Sequence, residues 1–233
     1  MQTTSRYTRQ EGLINSSLLH TPILMVGAGA IGSWTALALT KIGFDGLYVI
    51  DNDIVEEHNL GAQVYGDADI GATKTSALYE WLDLNSNTRI KTLAGMIQGY
   101  GIQNRPKIII SAVDNMEARK YLFERAMHYV STDREHRNLS ENPYFIDGRM
   151  AGNALNIFAF PLGDSERAEA YRKTLFSDEE AESTPCSEKA IAYNVFVCAG
   201  LIADIVVHIL NDRDIPQELE LDLANFAMYG GLQ

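Results

Sequence analysis

The chain has 233 residues, 46% of them hydrophobic, and a formal net charge of −12. That length suits one large α/β domain, or one domain with an elaborated loop. The negative charge argues against a general nucleic-acid binder, which needs a basic face, but leaves room for a nucleotide held by local donors. The two cysteines, Cys186 and Cys198, offer neither a disulfide framework nor a CxxC zinc pair.

Residues 1–9 are polar and lack the apolar core of a signal peptide, so a cytoplasmic location is expected. Ile23-Leu24-Met25-Val26 is a short apolar run closed by Gly27, the pattern of a fully buried strand. Residues 31–42 read as an Ala- and Leu-rich helix ended by Gly43, and residues 47–50 as a second strand, giving a βαβ unit. A helix is expected over 72–85, behind Gly71. Strands follow at 90–93 and 107–111, then a helix at 116–130 and a polar loop or surface extension at 131–142. Residues 144–146 read as a strand. In 154–160, Leu155, Ile157 and Ala159 alternate with Asn156, Phe158 and Phe160, which predicts a strand with two usable faces, antiparallel to its neighbours. A surface helix at 166–176 leads into an acidic, irregular tract at 177–189. Residues 190–210 are the most apolar stretch, but Tyr193, Asn194, Asp204 and His208 within it favour a core helix over a membrane span. A last strand is expected in 218–228. The order predicts an α/β fold: one doubly wound, mostly parallel Rossmann-like sheet with late antiparallel strands, spanning 1–233.

The chemistry-bearing residues gather in the first half. Gly27 permits the tight turn after the first strand, Gly29 lets phosphate approach the backbone, and Gly32 lets the helix pack closely on the sheet. The helix start then offers amide donors to an anion. Asp51, nineteen residues after Gly32, stands where an acid binds a ribose hydroxyl. To this point a dinucleotide fingerprint, or a purely structural glycine turn, reads equally well. Asp53 adds a second carboxylate, and Asn59 and Gln63 add polar groups in the next loop. Lys74 sits at a helix start, where the dipole does not favour a cation; a phosphate ligand explains it better, against a solvated surface lysine. Asp114 follows the strand candidate at its carboxyl end, where open α/β sheets bind ligands. Helix capping is its alternative role, and the two can coexist.

These segments together resemble the ubiquitin-activating-type adenylyltransferases, in their small ThiF/MoeB branch. The matching stretches are Arg6-Tyr7-Thr8-Arg9-Gln10, Gly27-Ala28-Gly29-Ala30-Ile31-Gly32, the run from Asp51 to Leu60, Gly71-Ala72-Thr73-Lys74 and Asp114-Asn115. The resemblance implies ATP and Mg²⁺ as cofactors. It implies activation of the C-terminal carboxylate of a ubiquitin-like or sulfur-carrier protein, or of a peptide, as an acyl-adenylate. Asp51 would hold the ribose, Asn59 and Lys74 the phosphates, and Asp114 the metal or the reacting phosphate. Arg9 resembles the arginine that homodimers of this family insert into the partner's site; a solvated N-terminal arm is the plain alternative for Arg6 and Arg9. Two departures stand out. An arginine usual before Gln63 is replaced by Ala62, for which Arg149 is a possible substitute. The two CxxC pairs that hold a structural zinc in many relatives are missing, so no structural zinc is expected.

In this family a cysteine in a loop preceding a comparable helix can take the activated acyl group or serve sulfur transfer. Cys186 matches by position, in the crossover-type loop at about 177–189, and a nonfunctional exposed thiol is its alternative. A conjugating enzyme or another thiol acceptor is then a further expected partner; nucleic acid and membrane are not. Cys198, among Val195, Phe196, Val197 and Ala199, is expected to pack in the core. Two rival functions remain at this level. An NAD(P)-dependent oxidoreductase explains the glycine turn and Asp51 but gives Lys74, Asp114 and Arg9 no shared task. A non-catalytic nucleotide-binding scaffold is consistent with Ala62.

Overall fold

The computed structural model describes residues 6–86, 88, 90–136, 142–176 and 191–230. Its first unit is β1 (Ile23–Val26), α1 (Ala30–Ile42) and β2 (Leu47–Asp51). Then come α2 (Lys74–Ser86), β3 (Lys91–Ala94), the short α3 (Ile97–Tyr100), β4 (Ile108–Ser111) and α4 (Met116–His136). The second half runs through β5 (Tyr144–Ala151), β6 (Ala154–Pro161), α5 (Ser165–Arg172), α6 (Ala192–Leu210), β7 (Glu218–Asp222) and β8 (Ala227–Tyr229). One eight-stranded sheet results, in the order β3-β2-β1-β4-β5-β6-β7-β8. Neighbours from β3 to β5 run parallel, and those from β5 to β8 antiparallel. This is the expected Rossmann-like sheet with late antiparallel strands.

The strand period of two divides the apolar residues between two layers. Ile23 and Met25 of β1, with Ile108 and Ile110 of β4, pack against Ala36 and Leu39 of α1, Leu78 and Leu82 of α2, and Ile202 and Val206 of α6. Leu24, Val26 and Ile109 face the other way, against Leu122, Phe123 and Ala126 of α4 and Tyr171 of α5. Because both faces are covered, the central strands β1 and β4 read as apolar runs, whereas the edge strand β3 is largely exposed and carries Lys91 and Thr92. α6 is long and apolar enough to cross a membrane by composition. Here it lays Val195, Cys198, Ile202 and Val206 into the first layer, as a core helix does.

Four elements differ clearly from the sequence reading. β5 runs on to Ala151, where the expected strand ended at 146. α4 continues through 131–136, where a loop was expected. Polarity alone does not stop a helix, and the stretch contains no Gly or Pro. α5 stops at Arg172 rather than at 176, as Thr174 and Leu175 tighten to i→i+3 bonds with Tyr171 and Arg172. The last expected strand is two: Asp222 accepts from the amides of Ala224 (3.0 Å) and Asn225 (3.2 Å), turning β7 back as β8. The remainder of the 131–142 tract at 137–141, and the crossover-type loop with Cys186, lie outside the described residues.

Candidate nucleotide site

Where the strand order reverses, β1 sits between β2 and β4. The chain leaves β1 into α1 on one face and leaves β4 into α4 on the other, so a crevice opens at the carboxyl ends of these strands. The glycines act there as expected. Gly27 has φ +102°, and a Cβ on it would lie 2.3 Å from the Ala112 carbonyl oxygen. A Cβ on Gly32 would lie 2.0 Å from the Gly27 oxygen. Around Gly29, by contrast, nothing lies within 4 Å of that position. The first turn of α1 carries no acidic residue of its own, and its positive dipole end favours an anion.

Asp51, at the end of β2, ties this turn down. Its Oδ2 accepts from the Ala28 amide and its Oδ1 from the Asp53 amide, both at 2.7 Å. Burial pushes its carboxyl above the usual range, against the pull of those amides and of Lys74. Lys74 opens α2 with its side chain only 9% exposed, and its Nζ lies 2.9 Å from Asp53 Oδ2. A solvated surface lysine is therefore ruled out. Its place is set by the backbone: the Lys74 amide donates to the Asp53 carbonyl (2.9 Å), and Ile54 bridges Thr73. Asp53 itself is 53% exposed, so this pair faces water on one side.

The loop between them is bound onto α1. Trp34 Nε1 donates to the Ala62 carbonyl (2.9 Å), the Val64 amide to Ser33 Oγ (3.3 Å), and the Tyr65 hydroxyl to the Ala28 carbonyl (2.6 Å). Asn59 is buried and its Oδ1 accepts the Glu56 amide (2.9 Å), so that oxygen holds the loop. Gln63 Oε1 is buried without a hydrogen-bond partner, an acceptor that a ligand hydroxyl or amide would satisfy.

Asp114, just past β4, is exposed. The helix cap foreseen for it is made by its neighbour: Asn115 Oδ1 accepts the Ala118 amide (2.8 Å), and Asn115 Nδ2 donates to Asp114 Oδ1 (3.2 Å). Behind this loop lies a group the sequence reading did not assign. Asp147 of β5 is fully buried and accepts from Arg119 Nε (2.9 Å), Arg149 Nε (2.7 Å) and the Tyr171 hydroxyl (3.0 Å). An aspartate closing the apolar run Tyr144-Phe145-Ile146 was the available signal, since a buried carboxylate requires partners. Arg149 also donates to Thr174 and lies 4.5 Å over the Phe158 ring. Its guanidinium is thus committed to Asp147 and Thr174, which counts against its substituting for an arginine at position 62.

The ThiF family model matches residues 7–230. The chain belongs to the ThiF family. Among its relatives, the adenylyltransferase and sulfurtransferase MOCS3 of Arabidopsis thaliana is 32% identical over 127 residues, 49% of this chain and 27% of that protein. The SAMP-activating enzyme E1 of Haloferax volcanii is 27% identical over 110 residues, 45% of this chain and 41% of that protein. The chain thus spans well under two thirds of these relatives. Solved structures share the fold: E. coli MccB with ATP has a TM-score of 0.72 at 18% identity, covering 99% of this chain and 72% of that one. PaaA has a TM-score of 0.68 at 21% identity, covering 100% and 85%.

Arg9 is exposed in a 3-10 turn, Thr8–Gln10. Its segment is docked rather than solvated: Arg6 Nη1 donates to the Ser86 carbonyl (2.6 Å) and Gln10 Nε2 to the Ile42 carbonyl. Those are the carboxyl ends of α1 and α2, about 20 Å from the helix starts that build the site. The fold therefore does not bring Arg9 to its own chain's crevice. Among the described residues no three His, Cys, Asp or Glu side chains cluster to hold a metal. The donor set fits Mg²⁺ nonetheless, because that ion is commonly held by one carboxylate with phosphate oxygens and waters, and Asp114 offers an exposed carboxylate beside the crevice. Cys198 is fully buried and burial pushes its thiol up to about 12, in keeping with a packing role.

Proposed function

We propose that this protein activates a carboxylate with ATP. A carboxylate oxygen of the substrate attacks the α-phosphorus, the bond to the bridging oxygen breaks, and pyrophosphate leaves with that electron pair, giving an acyl-adenylate. The observation that carries this reading is the buried lysine. Lys74 is tied to the glycine turn through the Tyr65 hydroxyl, which reaches the carbonyls of both Ala28 and Lys74, and its ammonium is held by a carboxylate that remains half in water, in a chain of the ThiF family. A dinucleotide site built on the same glycine turn gives that cation no task. Lys74 supplies a charge-assisted hydrogen bond to a phosphate, and the α1 amides supply further donors. Asp51 holds the turn and stands at the ribose position. Mg²⁺ at Asp114 would neutralise charge on the departing pyrophosphate. Catalysis is then positioning and charge neutralisation.

Relatives named for SAMP activation and for adenylyl and sulfur transfer support the proposed substrate class. It is the C-terminal tail of a ubiquitin-like or sulfur-carrier protein, or a peptide; a flexible tail reaches a crevice that a globular surface does not. The distance between Arg9 and its own crevice supports a homodimer in which Arg9 serves the neighbouring copy. Cys186 is the proposed acceptor of the activated acyl group, through thiolate attack on the acyl-adenylate with release of AMP.

The test is mass spectrometry of a small ubiquitin-like protein encoded near this gene, incubated with the enzyme and ATP. The reading predicts a mass gain of one AMP on that protein, matched by pyrophosphate release, and neither with Lys74→Met. Hydride transfer to a nicotinamide, without either product, would contradict it.

A further inference from the structure

Asp114 lies on a loop that is exposed and short, yet a carboxylate serving a metal or phosphate needs a fixed place. The structure shows what fixes it. Arg119, one turn into α4, is buried and reaches back beneath the loop. Its Nη2 donates to the Val113 carbonyl (2.7 Å) and its Nη1 approaches the Asn115 carbonyl (3.5 Å), which also accepts the Arg119 amide (3.3 Å); these are the carbonyls of the residues before and after Asp114. Its Nε is held by Asp147 Oδ1 (2.9 Å), whose other oxygen is held by Arg149 and Tyr171. We infer that Arg119 is a positioning residue for Asp114, clamping both flanking carbonyls while Asp147 locks the clamp to β5. The inference rests on the adenylation reading, because that reading gives Asp114 its task.

A planar guanidinium spreads its donors over Nε and two Nη atoms, so it reaches a carboxylate on one side and two carbonyls on the other; an ammonium offers its three donors from a single nitrogen. Arg119→Lys keeps the charge facing Asp147 but loses the fork, so it separates loop position from buried-charge balance. Asn115 contributes from the other side, orienting Asp114 Oδ1 and capping α4.

The experiment is calorimetric titration with ATP, with and without Mg²⁺, on wild type, Asp114→Ala, Arg119→Lys and the double variant. Arg172→Gln, which breaks an exposed pairing with Glu124 and Glu169, is the control. If Arg119 positions Asp114, Arg119→Lys binds Mg²⁺-free ATP as wild type does. It loses about tenfold of the affinity that Mg²⁺ adds, and the double variant is no worse than Asp114→Ala. Equal loss with and without Mg²⁺, or additive loss in the double variant, would overturn the inference and leave Arg119 a purely structural residue. Wild-type behaviour of Arg119→Lys would overturn it too. Absence of ATP binding by the wild type would instead overturn the adenylation reading. Should Arg119→Lys fail to fold, Asn115→Ala in the same titration takes its place, with the same Mg²⁺-specific loss expected.

Discussion

Two charged clusters stand along the carboxyl edge of the same sheet, and they are built in opposite ways. Lys74 and Asp53 form a single pair with the carboxylate half in water. Asp147 is wholly buried, and its partners among the described residues are Arg119, Arg149 and Tyr171. The first keeps one side open to solvent, so a phosphate can compete for the lysine. The second is closed to solvent, and its work is to fix the chain segments that run past it. A polar cluster at a sheet edge is therefore a binding candidate only where part of its hydrogen-bonding capacity faces solvent.

The contrast breaks first on stability. Asp147→Ala leaves two guanidiniums without their carboxylate and should cost about 3–5 kcal/mol in urea denaturation. Asp53→Ala should cost roughly 1 kcal/mol, because its carboxylate is half hydrated already. Equal costs would remove the distinction. Ligand binding sharpens it from the other side. Lys74→Met fills a similar volume without the charge. It should fold normally yet lose about 10- to 100-fold in ATP affinity by titration, the value of a charge-assisted hydrogen bond.

The glycines make the next test. Gly32→Ala forces a Cβ against the Gly27 carbonyl and should cost about 1–3 kcal/mol. Gly29→Ala meets open space, so its melting temperature should hold while ATP affinity falls. The smallest effect belongs to Asp51. Burial raises its carboxyl above the ordinary 3.8, so the native state keeps the proton to a higher pH than the unfolded chain does. Its stabilising contribution is full below that ordinary value and is lost as pH rises through the raised one. Asp51→Asn cannot ionise, so its stability relative to wild type should improve from about pH 3 to about pH 7. A flat difference across that range would show that the burial has no energetic consequence.

Much of this arrangement was legible in the residues. The apolar runs closed by Gly27, Asp51 and Ser111 gave the parallel strands, and the alternation in 154–160 gave the antiparallel turn of the sheet. Gly27, Gly32 and Lys74 were readable because each breaks a local rule: a tight turn, a close approach, a cation at a helix start. Asp147 was harder, since its partners Arg119, Arg149 and Tyr171 come from three elements that only the folded sheet brings together. The capping role passed from Asp114 to Asn115 because the two are chemically equivalent caps one residue apart, and pattern alone does not choose between them. α4 outran its expected end because a polar surface stretch without a breaker carries no stop signal.

The central claim is that the open crevice performs carboxylate activation by ATP. ATP–pyrophosphate exchange tests it most directly, run with a ubiquitin-like or sulfur-carrier protein and with the same protein lacking its C-terminal residues. The account predicts label appearing in ATP only with the intact tail, and losing that signal in Lys74→Met and Asp114→Ala. Exchange that ignores the tail, or that persists in both variants, would contradict it.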